Sequence, residues 1–295
     1  MASPEFDNVM QQIKDNPLPG DLPGLRAFLD QSAEMFPPSP EVRISAGTMG
    51  GVAGEHHRPK GAKDTATILY FHGGAYIAGS SASHRHLVAM LAQMAGMNAY
   101  LPDYRLAPEN PFPAALDDAM AAYRGLLDQG SAPEKIALAG DSAGGGLVLA
   151  TMLRLKQEGL PLPGAAACLS PWTDLAATGD STVTNAEKDF LIMGGRPALQ
   201  QFGMPYLGGA DAKNPLASPL YGDPTGFPPL LIQVGEPEVL YDDSRRFADQ
   251  ARAAGVKVTF EPWPDMPHVW QTFAPILPEG KQALTHIADF FKKHL

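Results

Sequence analysis

The sequence predicts an α/β protein with a mostly parallel central sheet flanked by helices. Short apolar segments alternate with longer amphipathic ones, a pattern typical of repeated strand–helix–strand units. The strand segments are apolar throughout, as strands buried on both faces require. The segments predicted as strands are ATILYF (66–71), MNAYLP (97–102), KIALAG (135–140), GAAACLS (164–170), PLLIQVG (229–235) and VKVTFEPW (256–263).

The length and composition fit one large α/β domain, 1–295, with a small accessory element. Hydrophobic residues make up 44% and charged residues 18% of the chain, near the averages of globular proteins. The formal charge is -10, from 22 Lys and Arg against 32 Asp and Glu, and the chain has no basic run. A net negative surface disfavours nucleic acid as a partner.

Two segments outside the repeating pattern are predicted to be additions to the sheet, and a third is predicted to form an edge of it. EVRISAG (41–47) and the polar stretch 50–64 predict an antiparallel edge. Residues 1–40 carry two amphipathic patterns, FDNVMQQI and LRAFLDQSAEMF, whereas 175–215 hold no strand pattern. A long segment without a strand in a compact domain usually has a functional role, such as a lid.

Cysteine usage and the first residues bear on the compartment. Cys168 is the only cysteine, so an intramolecular disulfide is impossible, and its context AAACLSP predicts a buried strand position. The start MASPEFDNVMQQIKDN lacks the basic and apolar regions of a signal peptide, and no apolar run of about 18 residues is present. The expectation is a soluble cytoplasmic protein without a membrane partner.

The stretch AGDSAGGG, residues 139–146, contains one serine among glycines and alanines. Its inner part, GDSAG, fits the pattern G-x-S-x-G, in which a serine lies on a strained turn between a strand and a helix. The predicted strand KIALAG precedes Ser142 and a helical pattern follows it, which is the context this pattern requires. Ser142 is therefore the candidate nucleophile. A glycine-rich turn that packs closely or binds phosphate is the alternative.

A nucleophilic serine needs a base, and in this architecture the base follows the acid along the chain. Of the eight histidines, His268, His286 and His294 lie beyond the last acid position considered. His286 and His294 fall in the predicted C-terminal helix KQALTHIADFFKKHL. His268 lies in the loop WPDMPHVWQTF after the last strand, where its ring can reach over the sheet. His268 is therefore the candidate base.

The acid is expected in the loop after the strand PLLIQVG. The loop sequence GEPEVLYDDS offers Glu236, Glu238, Asp242 and Asp243. Asp242 and Asp243 are predicted to be the N-cap and first turn of the next helix, where acids stabilise a helix start without a catalytic role. Glu238 is the candidate acid and Asp242 is the second choice.

The reaction also needs N–H donors aimed at the oxyanion that forms in the transition state. One is expected from the residue after the nucleophile, Ala143. The loop in ATILYFHGGAYIAGS can supply the others from Gly73 and Gly74, where no side chain blocks the approach. The alternative is that HGG is an ordinary turn at a strand end.

Taken together, the motifs resemble the bacterial hormone-sensitive lipase family of α/β-hydrolases. They are FHGGAY (71–76), DYRLAPENPFPAALDDA (103–119), GDSAGGG (140–146), SPWTDL (170–175) and MPHVW (266–270). The resemblance implies an α/β-hydrolase fold with a helical cap, carboxylesterase activity on a small-molecule ester, and no cofactor or metal. It also implies a mainly structural role for the stretch containing Asp103, Tyr104, Arg105, Pro108 and Glu109.

The resemblance carries over residue by residue, with two departures. The family's nucleophile, base and oxyanion donors match, in that order, Ser142, His268, and Gly73, Gly74 and Ala143. The family's usual third glycine after the histidine is Ala75 here, which leaves open whether the Ala75 N–H replaces that of Gly73. The acid, usually Asp in D-P-L, is Glu238 followed by Val and Leu. Glutamate can also orient an imidazole, because one added methylene changes reach and not charge.

The predicted function is a serine carboxylesterase that forms an acyl-enzyme intermediate. Large apolar residues in 1–40 and 175–215 predict a bounded pocket over the serine, which favours short- to medium-chain acyl groups. An amidase or arylformamidase on the same fold, and a non-catalytic small-molecule receptor, are the alternatives. The sequence leaves the oligomeric state open, a homodimer included.

Overall fold

Strands β1 to β8 form one sheet in this computed structural model, which describes residues 2–62 and 66–295. In chain order the strands are Val42–Met49, Val52–Pro59, Thr67–Phe71, Asn98–Pro102, Ile136–Asp141, Ala165–Leu169, Leu230–Gly235 and Val258–Trp263. Their order in the sheet is β1-β2-β4-β3-β5-β6-β7-β8. β2 pairs antiparallel with both β1 and β4, and every other neighbouring pair is parallel.

The sheet confirms the predicted mostly parallel architecture. Each predicted strand segment contains a strand, and the predicted antiparallel edge is the β1–β2 pair. Residues 63 and 64, at the end of the predicted edge segment 50–64, lie outside the described residues. β8 begins at Val258, two residues later than the apolar pattern predicts.

Helices α1 to α9 flank the two faces of the sheet or lie in the segments outside it. In chain order they are Pro4–Asp15, Leu22–Ala33, Ser81–Ala95, Ala114–Asp128, Ala143–Gln157, Ser181–Thr184, Gly195–Leu207, Tyr241–Ala253 and Pro278–His294. Over residues 2–62 and 66–295, none of them is both long enough and apolar enough to cross a membrane.

Two apolar cores, one on each face, explain why the strands are apolar throughout. On β3, Leu69 and Phe71 pack into the core under α4, α5 and α8. The alternate residues Ile68 and Tyr70 pack into the core under α3 and α9. Successive side chains of a strand point to opposite faces, so both faces of β3 are buried. Cys168 on β6 is also buried, as predicted.

The two segments predicted to form a cap are helical and lie outside the sheet. Residues 1–40 contain α1 and α2, and 175–215 contain α6 and α7. Val9 and Ile13 of α1 pack with Met266 and Trp270, which flank His268 on the loop after β8. Apolar side chains of α2 pack against the edge of the core that includes Phe71.

The glycines around Ser142 allow α5 to approach its neighbours closely. A Cβ atom on Gly144 would lie 2.0 Å from the carbonyl oxygen of Phe71, at the end of β3. A Cβ atom on Gly146 would lie 2.2 Å from the carbonyl oxygen of Trp172. Any side chain at these positions would push α5 away from the backbone on either side of Ser142. The glycine run therefore sets how close the serine lies to the loop after β3.

We expect Gly144→Ala to lower the free energy of unfolding by about 1–3 kcal/mol, because the new methyl group meets rigid backbone. Gly20→Ala is the matched control, since a Cβ atom there meets nothing within 4 Å. It should change stability by less than about 0.5 kcal/mol. Urea unfolding followed by circular dichroism measures both. Equal stability of the two variants would contradict this account of the glycine run.

Candidate active site

The candidate site residues lie at one edge of the sheet because parallel strands end on the same side. β3 leads into Gly73, β5 into Ser142, β7 into Glu238 and β8 into His268. Ligand sites of open parallel sheets lie at this carboxyl edge. The order of the strands brings these four loops together although the residues are far apart in sequence.

Ser142 occupies a strained turn between β5 and α5. Its φ is 53° and its ψ is -120°, a backbone conformation that non-glycine residues rarely adopt. The Ser142 N–H donates to the Leu169 carbonyl at 2.8 Å, and the Ser142 carbonyl accepts from Trp172 N–H at 2.9 Å. These contacts with the end of β6 hold the turn. The serine itself is 9% exposed.

Glu238, which is buried, and His268, which is partly buried, form a pair. Glu238 Oε2 lies 2.7 Å from His268 Nδ1. Its other oxygen, Oε1, accepts from Ser170 Oγ at 2.7 Å and from the Gly235 N–H at 2.5 Å. Ser170 Oγ in turn accepts from the N–H of Val269, at 3.3 Å. Both carboxylate oxygens are therefore engaged, and the acid and the imidazole are held from two sides.

Burial and charge act in opposite directions on this pair. Desolvation lowers the pKa of His268, but the charge and hydrogen bond of Glu238 raise it, with smaller contributions from Asp189 and Asp141, and the net pKa lies above 6.5. Burial raises the pKa of Glu238 above 4.5, although contacts with His268 oppose this shift. The arrangement favours a positive imidazolium next to a buried carboxylate.

The other histidine and acid candidates lie in different surroundings. His286, on α9, contacts the Glu261 carboxylate at 3.2 Å. Asp242 Oδ2 accepts from the Ser181 N–H at 2.9 Å. Asp242 was predicted to be the N-cap of its helix, but α8 begins at Tyr241, so Asp242 lies in the first turn. A negative charge there still interacts favourably with the positive end of the helix dipole.

Asp243 also holds the segment that follows β6. Its Oδ2 accepts from the N–H groups of Thr173 and Asp174, both at 2.8 Å. Burial and the nearby charge of Asp174 raise the pKa of Asp243 to about 8. Asp243 and Asp242 thus bind α8 to the residues just before the inserted segment 175–215 and to Ser181 within it.

The loop after β3 differs from the prediction at Gly73. The Gly73 N–H donates to Asp141 Oδ1 at 3.1 Å and lies 3.3 Å from His84 Nε2. It therefore faces a buried carboxylate, which disfavours Gly73 as an oxyanion donor. Gly74 and Ala75 follow, and within residues 2–62 and 66–295 their N–H groups have no acceptor.

Positive φ angles turn the Gly74 and Ala75 N–H groups out of the regular strand direction. The values are 113° for Gly74, 54° for Ala75 and 63° for Tyr76. Two consecutive non-glycine residues in this region cost about 1–3 kcal/mol each, so surrounding contacts must impose the conformation. The Ala143 N–H, at the first residue of α5, has no intrahelical acceptor.

Tyr104 contributes contacts that hold the loop after β3 in this conformation. Its ring stacks on His72 at 4.1 Å between centroids, and its hydroxyl donates to the His72 carbonyl at 2.7 Å. The Ala107 N–H donates to the Tyr76 carbonyl at 2.9 Å. Arg26 of α2 donates to the carbonyls of Ile77 and Ala107. These contacts are structural, as the resemblance implied for the stretch around Tyr104.

Sequence reasoning missed two side chains of the site. Ser170 opens the motif SPWTDL directly after β6, which could have identified it as a residue at the carboxyl edge. Asp141 precedes the nucleophile within GDSAG, but its side chain points away from Ser142 toward Gly73 and Tyr70. Both side chains act on the loops that carry the predicted residues.

Residues 68–272 match the alpha/beta hydrolase fold family. An acetyl-hydrolase of Streptomyces hygroscopicus is 45% identical over 299 residues, which cover 99% of this chain and 97% of that protein. An esterase of Acinetobacter venetianus is 41% identical over 267 residues, covering 90% of this chain and 87% of that protein.

A solved structure shows the same architecture throughout. It is a crystal structure of an esterase from the bacterial hormone-sensitive lipase family, and it matches with a TM-score of 0.96 and 45% identity. The match covers 100% of this chain and 99% of that one. The fold, the sequence relatives and the five motifs agree, and the chain belongs to the alpha/beta hydrolase fold family, in its bacterial hormone-sensitive lipase branch.

Proposed function

We propose that this protein is a serine carboxylesterase in which Ser142 is the nucleophile, His268 the base and Glu238 the orienting acid. The observation that carries the proposal is the contact of 2.7 Å between the buried Glu238 carboxylate and His268, at the sheet edge where Ser142 occupies its strained turn. The names of the relatives, acetyl-hydrolase and esterase, support the same reaction class.

The hydrogen bond to Glu238 determines which imidazole nitrogen reacts. A carboxylate only accepts hydrogen bonds, so Nδ1 of His268 carries the proton and Nε2 has the free lone pair. Nε2 removes the proton of Ser142 as Oγ attacks the ester carbonyl. The tetrahedral intermediate then collapses, and the alcohol leaves with that proton. Water, activated by the same nitrogen, hydrolyses the acyl-enzyme and releases the acid.

The oxyanion donors in this proposal are the N–H groups of Gly74, Ala75 and Ala143. The Gly73 N–H donates to Asp141, so in this proposal the Ala75 N–H replaces it as an oxyanion donor. Because only the backbone of Ala75 is required, the departure from the family's third glycine is compatible with the chemistry. Pre-positioned donors of this kind stabilise the transition state without reorganisation.

An aromatic wall beside these donors supports a bounded acyl pocket. Tyr206 of α7 stacks on Tyr76, which follows Ala75, with 3.8 Å between centroids. Trp172, whose backbone N–H donates to the Ser142 carbonyl, has its ring centroid 6.5 Å from that of Tyr76. In the proposal α1, α2, α6 and α7 form the cap. Not all its apolar side chains face the site, since Met193 and Met204 are 65% and 66% exposed.

The receptor alternative depended on a lost histidine, and the His268–Glu238 contact disfavours it. The amidase alternative differs only in the bond cleaved, so hydrolysis of a 4-nitrophenyl ester against a 4-nitroanilide distinguishes it. A cytoplasmic location stays a prediction from the sequence. The oligomeric state stays open, a homodimer included, and light scattering during size-exclusion chromatography measures it.

We expect Ser142→Ala and His268→Ala to lower kcat by about 10⁶-fold, and Glu238→Gln by about 10⁴-fold, as in serine hydrolases generally. Asp242→Asn is the matched control, because its contacts hold Ser181 and not His268. It should affect stability more than kcat. Steady-state hydrolysis of 4-nitrophenyl acetate measures all four variants. A larger loss of kcat in Asp242→Asn than in Glu238→Gln would transfer the acid role to Asp242.

We expect kcat/KM to fall as the pH falls through the pKa of His268, because a protonated imidazole cannot accept the serine proton. That pKa is raised above 6.5, so the acid limb should be centred above pH 6.5. Glu238→Gln removes the charge that raises it and should move the limb of the residual activity to lower pH. A limb that stays in place in this variant would contradict the pairing.

We expect 4-nitrophenyl esters with acyl chains of about two to eight carbons to react fastest, because buried methylenes add affinity until the pocket wall is reached. Tyr206→Ala should shift the optimum to longer chains. Met204→Ala, on the same helix but exposed, is the control and should leave it unchanged. Equal activity from acetyl to palmitoyl esters, in the native chain, would contradict a bounded pocket.

A further inference from the structure

Asp189 is a buried carboxylate of the inserted segment 175–215 and contacts the loop that carries the acid. It is 4% exposed and lies between α6 and α7. Its Oδ1 accepts from the N–H groups of Leu191 and Ile192, at 3.1 Å and 3.0 Å. Its Oδ2 accepts from the N–H of Val239, the residue after Glu238, at 3.0 Å. One side chain therefore orders its own turn and fixes the backbone beside Glu238.

Asn185 holds the same loop from one helical turn earlier. Its Nδ2 donates to the carbonyl of Glu236 at 3.0 Å and to the carbonyl of Glu238 at 2.9 Å. Asn185 is 7% exposed, and its own carbonyl accepts from the Asp189 N–H at 3.0 Å. The two side chains together engage three backbone groups between Glu236 and Val239.

These contacts supply what the loop after β7 needs for a fixed acid. Glu238 Oε1 binds the Gly235 N–H at 2.5 Å, which holds only the near end of the loop. The carbonyl of Glu238 and the N–H of Val239, on the far side of the acid, are held by Asn185 and Asp189. The Glu238 carbonyl also accepts from the Tyr241 N–H at 3.1 Å, and Asn185 and Asp189 add contacts from outside the loop.

We propose that Asp189 and Asn185 are positioning residues for the Glu238–His268 pair, so that the inserted segment takes part in aligning the acid and the base. The inference rests on the proposed roles of Glu238 and His268. It assigns to the segment 175–215 a function in catalysis besides covering the pocket. Neither residue contacts the reacting atoms in this account, since both act through the backbone around Glu238.

Asp189 also adds charge near the imidazole. The groups that raise the pKa of His268 are Glu238 of the loop after β7, Asp189 of the inserted segment and Asp141 at the end of β5. Charged groups on the solvent side, around the cavity between α1 and the turn at 187–190, are Asp7, Lys14, Glu187, Lys188 and Asp265. Lys14 lies over the Phe190 ring and Lys188 donates to Asn185 Oδ1, so both cations are engaged away from His268.

We expect Asp189→Asn to lower kcat on 4-nitrophenyl acetate by about tenfold or more with little change in KM, because a shift of about 1 Å in a catalytic group can cost about 100-fold. The acid limb of its kcat/KM profile should move to lower pH, since one negative charge near His268 is lost. Asp180→Asn is the matched control. Asp180 is an exposed acid of the same segment, and its side chain makes no capping hydrogen bond. The Asp180→Asn variant should keep the native kcat and the native position of the acid limb.

Asn185→Ala tests the same loop without a change of charge, and it decides the matter if Asp189→Asn does not fold. It should also lower kcat by about tenfold with little effect on KM. A native kcat in a folded Asp189→Asn or Asn185→Ala variant would overturn the proposal. So would a lower kcat in Asp189→Asn whose acid limb stays at the native pH, because a loss of fold alone leaves that limb in place.

A double variant separates this inference from the proposed function. If Asp189 acts through Glu238, adding Asp189→Asn to Glu238→Gln should lower kcat by less than about twofold further, whereas independent effects would multiply. A full additional loss overturns the inference. If Glu238→Gln alone keeps native activity, Glu238 is not the acid and the proposed function fails. Asp189 then cannot have a role that acts through Glu238.

Discussion

The buried carboxylate of Asp141 connects the two loops on which the proposed chemistry depends. It directly precedes Ser142, and it accepts from Tyr70 Oη at 2.9 Å and from the Gly73 N–H at 3.1 Å. Desolvation raises the pKa of Asp141. The charge and hydrogen bond of His84, with the hydrogen bond of Tyr70, outweigh this effect, so the net pKa lies below its ordinary value. An ionised carboxylate here fixes the distance between the nucleophile turn and the oxyanion loop.

Two buried carboxylates thus have different tasks because their surroundings differ. Asp141 is surrounded by donors that favour its charged form, and its partners are parts of the frame. Glu238 is held near His268, which gains positive charge during the reaction. Burial raises the pKa of Glu238. Removing a single partner from either group would leave a buried charge uncompensated, which is costly. The frame and the acid are therefore each held by several donors.

The sequence predicted the sheet, and it identified Ser142, Glu238 and His268 as residues that the fold brings to one edge. Apolar strand segments, a glycine-rich turn and chain order carry that information locally. The position of the Gly73 N–H could not be predicted, because it depends on the side chain of Asp141, which lies 68 residues away. The contacts of Asp189 with Val239 could not be predicted for the same reason, since they join segments 50 residues apart.

The central claim is that Ser142 forms a covalent bond to the acyl group, and a phosphonate ester tests it most directly. The serine oxygen should attack the phosphorus of a 4-nitrophenyl alkylphosphonate, release one 4-nitrophenolate per chain and keep the phosphonyl group. We predict that peptide mass spectrometry finds a single adduct, on Ser142, and that His268→Ala forms it far more slowly. An adduct on another residue, or full esterase activity with Ser142 unlabelled, would contradict the account.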